Sequence, residues 1–267
     1  MDLHSRHRQA HPVRALLEAT GLFTLIPVRP FDVDRDTARR AMAAMPWLGL
    51  VLGSVAGLVF VAVARFASPL LGAVLALALL AAATGALHLD GVADTADGLG
   101  SRKPAEDALA IMKRSDIGPM GVVTLLFVLL VDVTAAVSLP GAWVGGAAIA
   151  CAAMAGRAAV MTATVSQSSA RTVGFGALFV GVTPRWAAAA NLAVVAAVTL
   201  GLGWLTGGVH ALAAFTVAGV VAAGVAVVWG RHLLRRLGGW TGDLFGSLIE
   251  VTQAAFLIVA ALTIGTI

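Results

Sequence analysis

Residues 88–100 read His-Leu-Asp-Gly-Val-Ala-Asp-Thr-Ala-Asp-Gly-Leu-Gly and set three carboxylates among glycines directly after a long apolar run. On a helix Asp90, Asp94 and Asp97 fall four and then three residues apart, so they share a face within reach of one divalent cation. Without a positive partner these acids repel one another. A second segment, Met112-Lys113-Arg114-Ser115-Asp116-Ile117-Gly118-Pro119, mixes cations, a hydroxyl and a carboxylate. Lys and Arg are donors matched to phosphoryl oxygens, and Gly118, Pro119 and Gly121 mark a turn whose backbone amides can also point inward. The alternative for the same two cations is a role as anchors at a membrane surface. The third segment runs from Gly238-Gly239-Trp240-Thr241-Gly242-Asp243 to Glu250, with Asp243 and Glu250 seven residues apart on one helix face. Asp243 there also suits a capped helix start.

A site that binds a metal ion with a di- or polyphosphate accounts for all three segments at once. Mg²⁺ is the natural ion, because it takes a few carboxylates together with phosphate oxygens and water, whereas zinc calls for Cys or His clusters. His88 stands alone among the acids, and reads equally as a hydrogen-bonding histidine at a membrane boundary.

The elements that position these residues are membrane helices. The chain is 59% hydrophobic and only 12% charged, with a mean hydropathy of +0.93. A span needs about 20 apolar residues, and such runs fall near 47–65, 69–87, 118–139, 142–164, 186–206, 209–229 and 251–267. Residues 15–28 are too short to span, carry Glu18 and end at Pro27, which predicts an interfacial or re-entrant helix. The expectation is a single all-α, polytopic membrane domain over residues 1–267, with about seven transmembrane helices. Gly and Ala throughout the runs permit close helix contacts, and an assembly of several copies is compatible with them. The lone Cys151 reads as packing.

Orientation follows from the basic residues, which gather in short cytoplasmic loops. Arg6 to Arg40, Arg102 to Arg114, Arg171 with Arg185, and Arg231 to Arg236 all lie in alternate connections, which predicts one cytoplasmic side. The net charge of +4 therefore reflects topology and lipid headgroups, with no nucleic acid implied. Most acids share that side. Asp132 lies within the third run, toward its outer end, and is expected to pair with Arg65 or to snorkel to the interface.

The three polar motifs, in this order, resemble those of the cobalamin synthase (adenosylcobinamide-GDP ribazoletransferase) family. The resemblance extends to Thr24-Leu25-Ile26-Pro27-Val28 and to the region from Gly49 to Gly57, and covers nearly the whole chain. One departure is local, since many members carry Asp-Ser-Arg where this chain has Arg114-Ser115-Asp116.

The resemblance implies an Mg²⁺-dependent phosphotransferase of a bacterial cell membrane, its active site facing the cytoplasm. It would join adenosylcobinamide-GDP to α-ribazole or its 5′-phosphate and release GMP. Asp90, Asp94 and Asp97 would hold the metal and carry catalysis, with Arg102, Lys113, Arg114, Ser115 and Asp116 on the phosphates. His88, Thr241, Asp243 and Glu250 would support them. The resemblance does not say what holds the corrinoid; a corrin is large and partly apolar, which suits Trp240, Phe245 and the loop 171–179, although aromatic residues there also serve as interfacial anchors. Two other readings remain. Asp94-Thr-Ala-Asp97-Gly-Leu-Gly-Ser-Arg102 resembles the first half of the CDP-alcohol phosphotransferase signature, although its second half is missing downstream. A secondary transporter would instead place ionisable residues near the midplane, whereas here they crowd one interface.

Overall fold

The computed structural model describes residues 12–165, 169–170 and 175–264. They form helices α1 (Pro12–Phe23), α2 (Arg35–Phe66), α3 (Pro69–Ala83), α4 (Leu87–Gly100), α5 (Ala105–Ile111), α6 (Pro119–Val137), α7 (Ala142–Ala163), α8 (Phe175–Phe179), α9 (Arg185–Leu237) and α10 (Gly242–Ile264). No strand is present among the described residues.

Helix α7 occupies the middle of the bundle, with 94% of its apolar window buried. It can do so because both it and α2 present small residues. Gly49, Gly53 and Gly57 recur every fourth residue along one face of α2 and lie against the backbone at Ala153, Ala150 and Gly146 of α7. A Cβ on Gly49 would come within 2.5 Å of the Ala153 carbonyl oxygen, so the two helices touch where any larger side chain would force them apart. Cys151 is fully buried in this helix, in keeping with a packing role.

The second apolar run behaves differently from its reading as a span over 69–87. Helix α3 stops at Ala83, and α4 leaves it at 89°. At 15 residues α3 is about 22 Å long, short of the roughly 30 Å bilayer core. The bend has local causes. The Thr84 hydroxyl donates back to the carbonyls of Leu80 (3.0 Å) and Ala81 (3.2 Å), and Gly85 and Ala86 then take φ of +60° and +57°. The Leu25 N–H donates to the Ala83 carbonyl at 2.8 Å, tying the segment after α1 to the same corner. The acid-bearing helix is thereby turned away from the direction of α3.

Five helices are long and apolar enough to cross a bilayer, and the bent pair α3–α4 would add a sixth span. One of the five is α9, whose 53 residues would extend about 80 Å, far more than one crossing needs. It breaks at Gly207 and Gly208, whose backbones are non-helical. A Cβ on Gly203 would lie 2.9 Å from the Ala211 carbonyl, so the two limbs fold back on each other as a hairpin. Each run read from the sequence thus has its helix. The last is longer than the run 251–267, because α10 begins at Gly242 and takes in both Asp243 and Glu250.

The 12-residue α1 is about 18 Å long and does not span. It is held by Glu18, 2% exposed, whose carboxylate meets Arg40 at 2.7 Å and Arg14 at 2.9 Å. Burial pushes the Glu18 carboxyl up, but the two guanidiniums more than offset that and leave it below its usual range. The polar junctions meet at one end of the bundle: Arg35 donates to the Val180 carbonyl, Phe23 packs on Phe179, and the Arg236 guanidinium donates to the Lys103 carbonyl.

Candidate active site

Asp90 is exposed and Asp94 half-buried on α4, one helical turn apart. Between them Gly91 presses on the start of α10, where a Cβ would fall 2.5 Å from the Asp243 carbonyl oxygen. Gly246 answers from the other side, 3.0 Å from the His88 carbonyl by the same measure. These paired glycines bring the backbones of α4 and α10 into contact and set Asp243 beside the acid helix. Thr241 accepts the Leu244 N–H at 3.3 Å and donates to the Asp243 carboxylate at 3.3 Å, so it caps α10 and holds that acid.

Asp97 is engaged otherwise than the shared face suggested. One oxygen accepts the Gly118 N–H at 2.7 Å and the other the Gly121 N–H at 2.8 Å, so it caps the N-terminus of α6. Among the described residues no three Asp, Glu, His or Cys side chains are gathered closely enough to hold a metal ion. Asp97 instead fastens the segment before α6 to α4. Gly118 and Gly121 are small for that reason, since a Cβ on either would run into the Asp97 carboxylate.

The clasp holds the cationic loop at the end of α4. Lys113, Arg114, Ser115 and Asp116 are exposed, and none makes an ion pair or side-chain hydrogen bond among the described residues. Arg102 is exposed as well and sits at φ +55°, a left-handed conformation that costs a residue with a Cβ about 1–2 kcal/mol. Of the aromatic residues at the third junction, Trp240 stacks on Phe245 with centroids 5.2 Å apart. Trp240 also borders an apolar cavity of about 700 Å³ between α7, both limbs of α9 and α10, with Arg231 on its lining. Residues 171–174 of the expected corrinoid loop lie outside the described residues.

Residues 15–261 match the family model for cobalamin-5-phosphate synthase. The chain belongs to the cobalamin-5-phosphate synthase family. It is 42% identical over 268 residues to the adenosylcobinamide-GDP ribazoletransferase of Frankia casuarinae, covering 94% of this chain and 96% of that protein. The proteins of the same name from Stutzerimonas stutzeri and Citrobacter koseri are 38% and 37% identical, covering 94% and 85% of this chain and 98% and 89% of theirs. No solved structure matches it.

The stretch shared with the cobalamin-5-phosphate synthase family also takes in a second polar group, inside the bundle, which corrects the reading of Asp132. That residue neither pairs with Arg65, which is exposed, nor snorkels. It is 1% exposed and shares a small cavity with His88, Arg157, Glu250 and Gln253. Glu250 lies 3.7 Å from His88 and accepts from Gln253 at 3.3 Å. It is therefore an interior residue and not part of the surface junction. Arg157, 2% exposed on α7, escapes any count of loop charges because it sits inside an apolar run. Its signal in the sequence is of the same kind as that of Asp132, an ionisable residue within a membrane segment.

Proposed function

We propose that this chain is an adenosylcobinamide-GDP ribazoletransferase that completes the cobamide nucleotide loop at the polar end of its bundle. A ribose hydroxyl of α-ribazole, or of its 5′-phosphate, attacks the phosphorus that bears the cobinamide. A P–O bond forms to the riboside, the diphosphate bridge to the nucleoside phosphate breaks, the hydroxyl proton leaves and GMP departs. The observation that carries this reading is the convergence of the three motifs at one end, with Asp97 clasping the cationic loop to α4 and Gly91 seating α4 on α10.

Each group has work suited to its setting. Lys113 and Arg114, exposed and uncommitted, bind the diphosphate oxygens. Arg102 is a third donor at the end of the acid helix. Asp243, oriented by Thr241, and the acids of α4 are the candidate acceptors for the hydroxyl proton. The apolar cavity beside Trp240 offers room for the less polar parts of the substrates.

Mg²⁺ is part of the proposal. Asp90, exposed, and Asp94, half-buried, are oxygen donors one turn apart, which fits an ion that takes one or two carboxylates and keeps its remaining positions for phosphate and water. Bound there, it would supply charge neutralisation for the diphosphate and the departing GMP. The membrane is proposed to be the bacterial cytoplasmic membrane with this end toward the cytoplasm, because the basic loops gather on that side. The test is to incubate purified protein in liposomes with adenosylcobinamide-GDP, α-ribazole and Mg²⁺, with and without chelator. Chelator-sensitive formation of GMP and cobalamin in equal amounts supports the reading. Failure of folded protein to form either product, together with turnover of a CDP-alcohol, would replace it.

A further inference from the structure

Below the acid rim, α3, α4, α6, α7 and α10 surround a chamber of about 20 Å³ bordered by His88, Asp132, Arg157, Glu250 and Gln253 and flanked by Leu77, Leu80 and Leu129. Asp132, Arg157 and His88 are 1%, 2% and 4% exposed. Three of their atoms, Asp132 Oδ1, Arg157 Nε and His88 Nε2, have no hydrogen-bond partner among the described residues. A buried polar atom without a partner is costly, and costlier where the group is charged.

The chemistry of the lining selects the occupant. An apolar group would satisfy none of the three atoms. A cation would face the Arg157 guanidinium, and an anion would face two carboxylates. A neutral molecule that both donates and accepts meets all three needs, and water requires only about 10–15 Å³ and a few polar partners. Water would accept from Arg157 Nε–H and donate to Asp132 Oδ1. It would donate its second hydrogen to His88 Nε2 when the imidazole proton sits on Nδ1, the nitrogen that faces Glu250 at 3.7 Å.

We infer that this chamber is a water site, and that the bound water joins Asp132 and Arg157 to His88, making Asp132 a positioning residue for the acid helix. His88 lies on α4 two residues before Asp90, so fixing its ring fixes the first turn of the helix that carries the rim acids. The effect on turnover rests on the proposed transferase reaction. The effect on α4 does not.

The experiment compares Asp132→Leu, Asp132→Asn, His88→Leu and the Asp132→Leu/His88→Leu double variant, reading hydrogen exchange of residues 87–100 alongside kcat and KM. Asp132→Leu is expected to speed exchange in that segment and lower kcat by about tenfold with KM unchanged, since misplaced catalytic groups cost rate more than affinity. Asp132→Asn keeps an acceptor for the water and is expected to restore both. The double variant should add nothing to His88→Leu, because the two residues act through one bridge. Leu80→Phe, which fills the chamber and leaves every polar group in place, should reproduce the Asp132→Leu result and serves if that variant does not fold. Unchanged exchange and kcat in both Asp132→Leu and Leu80→Phe, or effects that multiply in the double variant, would overturn the inference. If the native protein shows no transfer the functional reading falls, and the exchange data still decide the water site.

Discussion

The two polar regions that meet on α4 use the same kinds of side chain in opposite ways. At the rim, Asp90 is exposed and Lys113 and Arg114 stand free of partners among the described residues. In the chamber beneath, His88, Asp132, Arg157, Glu250 and Gln253 are buried and face one another. Charges left open to solvent can be used by a substrate, whereas charges enclosed in a low-dielectric interior must answer each other. The rim is therefore expected to control chemistry and the chamber to control architecture, and substitutions can separate the two.

The largest expected effect is at the rim. Asp94→Ala should lower kcat by about a hundredfold or more, the scale for removing one preorganised electrostatic contact, and shift Tm less than a chamber substitution does. A comparable fall in Tm would erase the contrast between the regions. Next in size is Glu250→Leu in the chamber, which removes one of the two carboxylates beside the buried Arg157 and strips Gln253 and His88 of a partner, and should cost about 1–3 kcal/mol. It would be seen as a lowered Tm of the detergent-solubilised protein. Replacing Gly118 by Ala drives a methyl into the Asp97 carboxylate and should loosen the clasp between α4 and α6. The expected reading is a drop in turnover of about tenfold, as for other small displacements of a site. Lys113→Ala should act mainly on KM for adenosylcobinamide-GDP, since it removes one exposed phosphate contact.

The smallest effect concerns α1. The Glu18 carboxyl lies below its usual range in the folded chain, so its clasp with Arg40 and Arg14 stabilises above the unfolded value of about pH 4.3 and is lost as pH falls through the folded value. Protection of the residue 12–23 amides, taken against their intrinsic exchange rate at each pH, should therefore be high at neutral pH and fall only on acidification below about pH 4. In Glu18→Gln protection should be low at both.

Much of this division is legible in the amino-acid sequence itself. Apolar run lengths mark where helices lie, and the acids, cations and glycines of the three motifs mark one interface, because both signals are local. The bend after Ala83 is not readable from run length, since hydropathy continues through it while the Thr84 back-bonds and the positive φ at Gly85 and Ala86 turn the chain. Spacing places Asp97 with Asp90 and Asp94, yet its carboxylate is drawn to two amides of α6 that are more than 20 residues away in sequence. Asp132 and Arg157 are visible as ionisable residues within apolar runs, and only the packing of four helices shows that they meet.

The most direct test of the central claim is the liposome assay with adenosylcobinamide-GDP, α-ribazole and Mg²⁺, run on the native protein and on Asp90→Ala. The account predicts GMP and cobalamin in equal amounts from the native protein, abolished by chelator, and neither product from a folded Asp90→Ala. Undiminished product from that variant would contradict the assignment of the rim as the reaction centre.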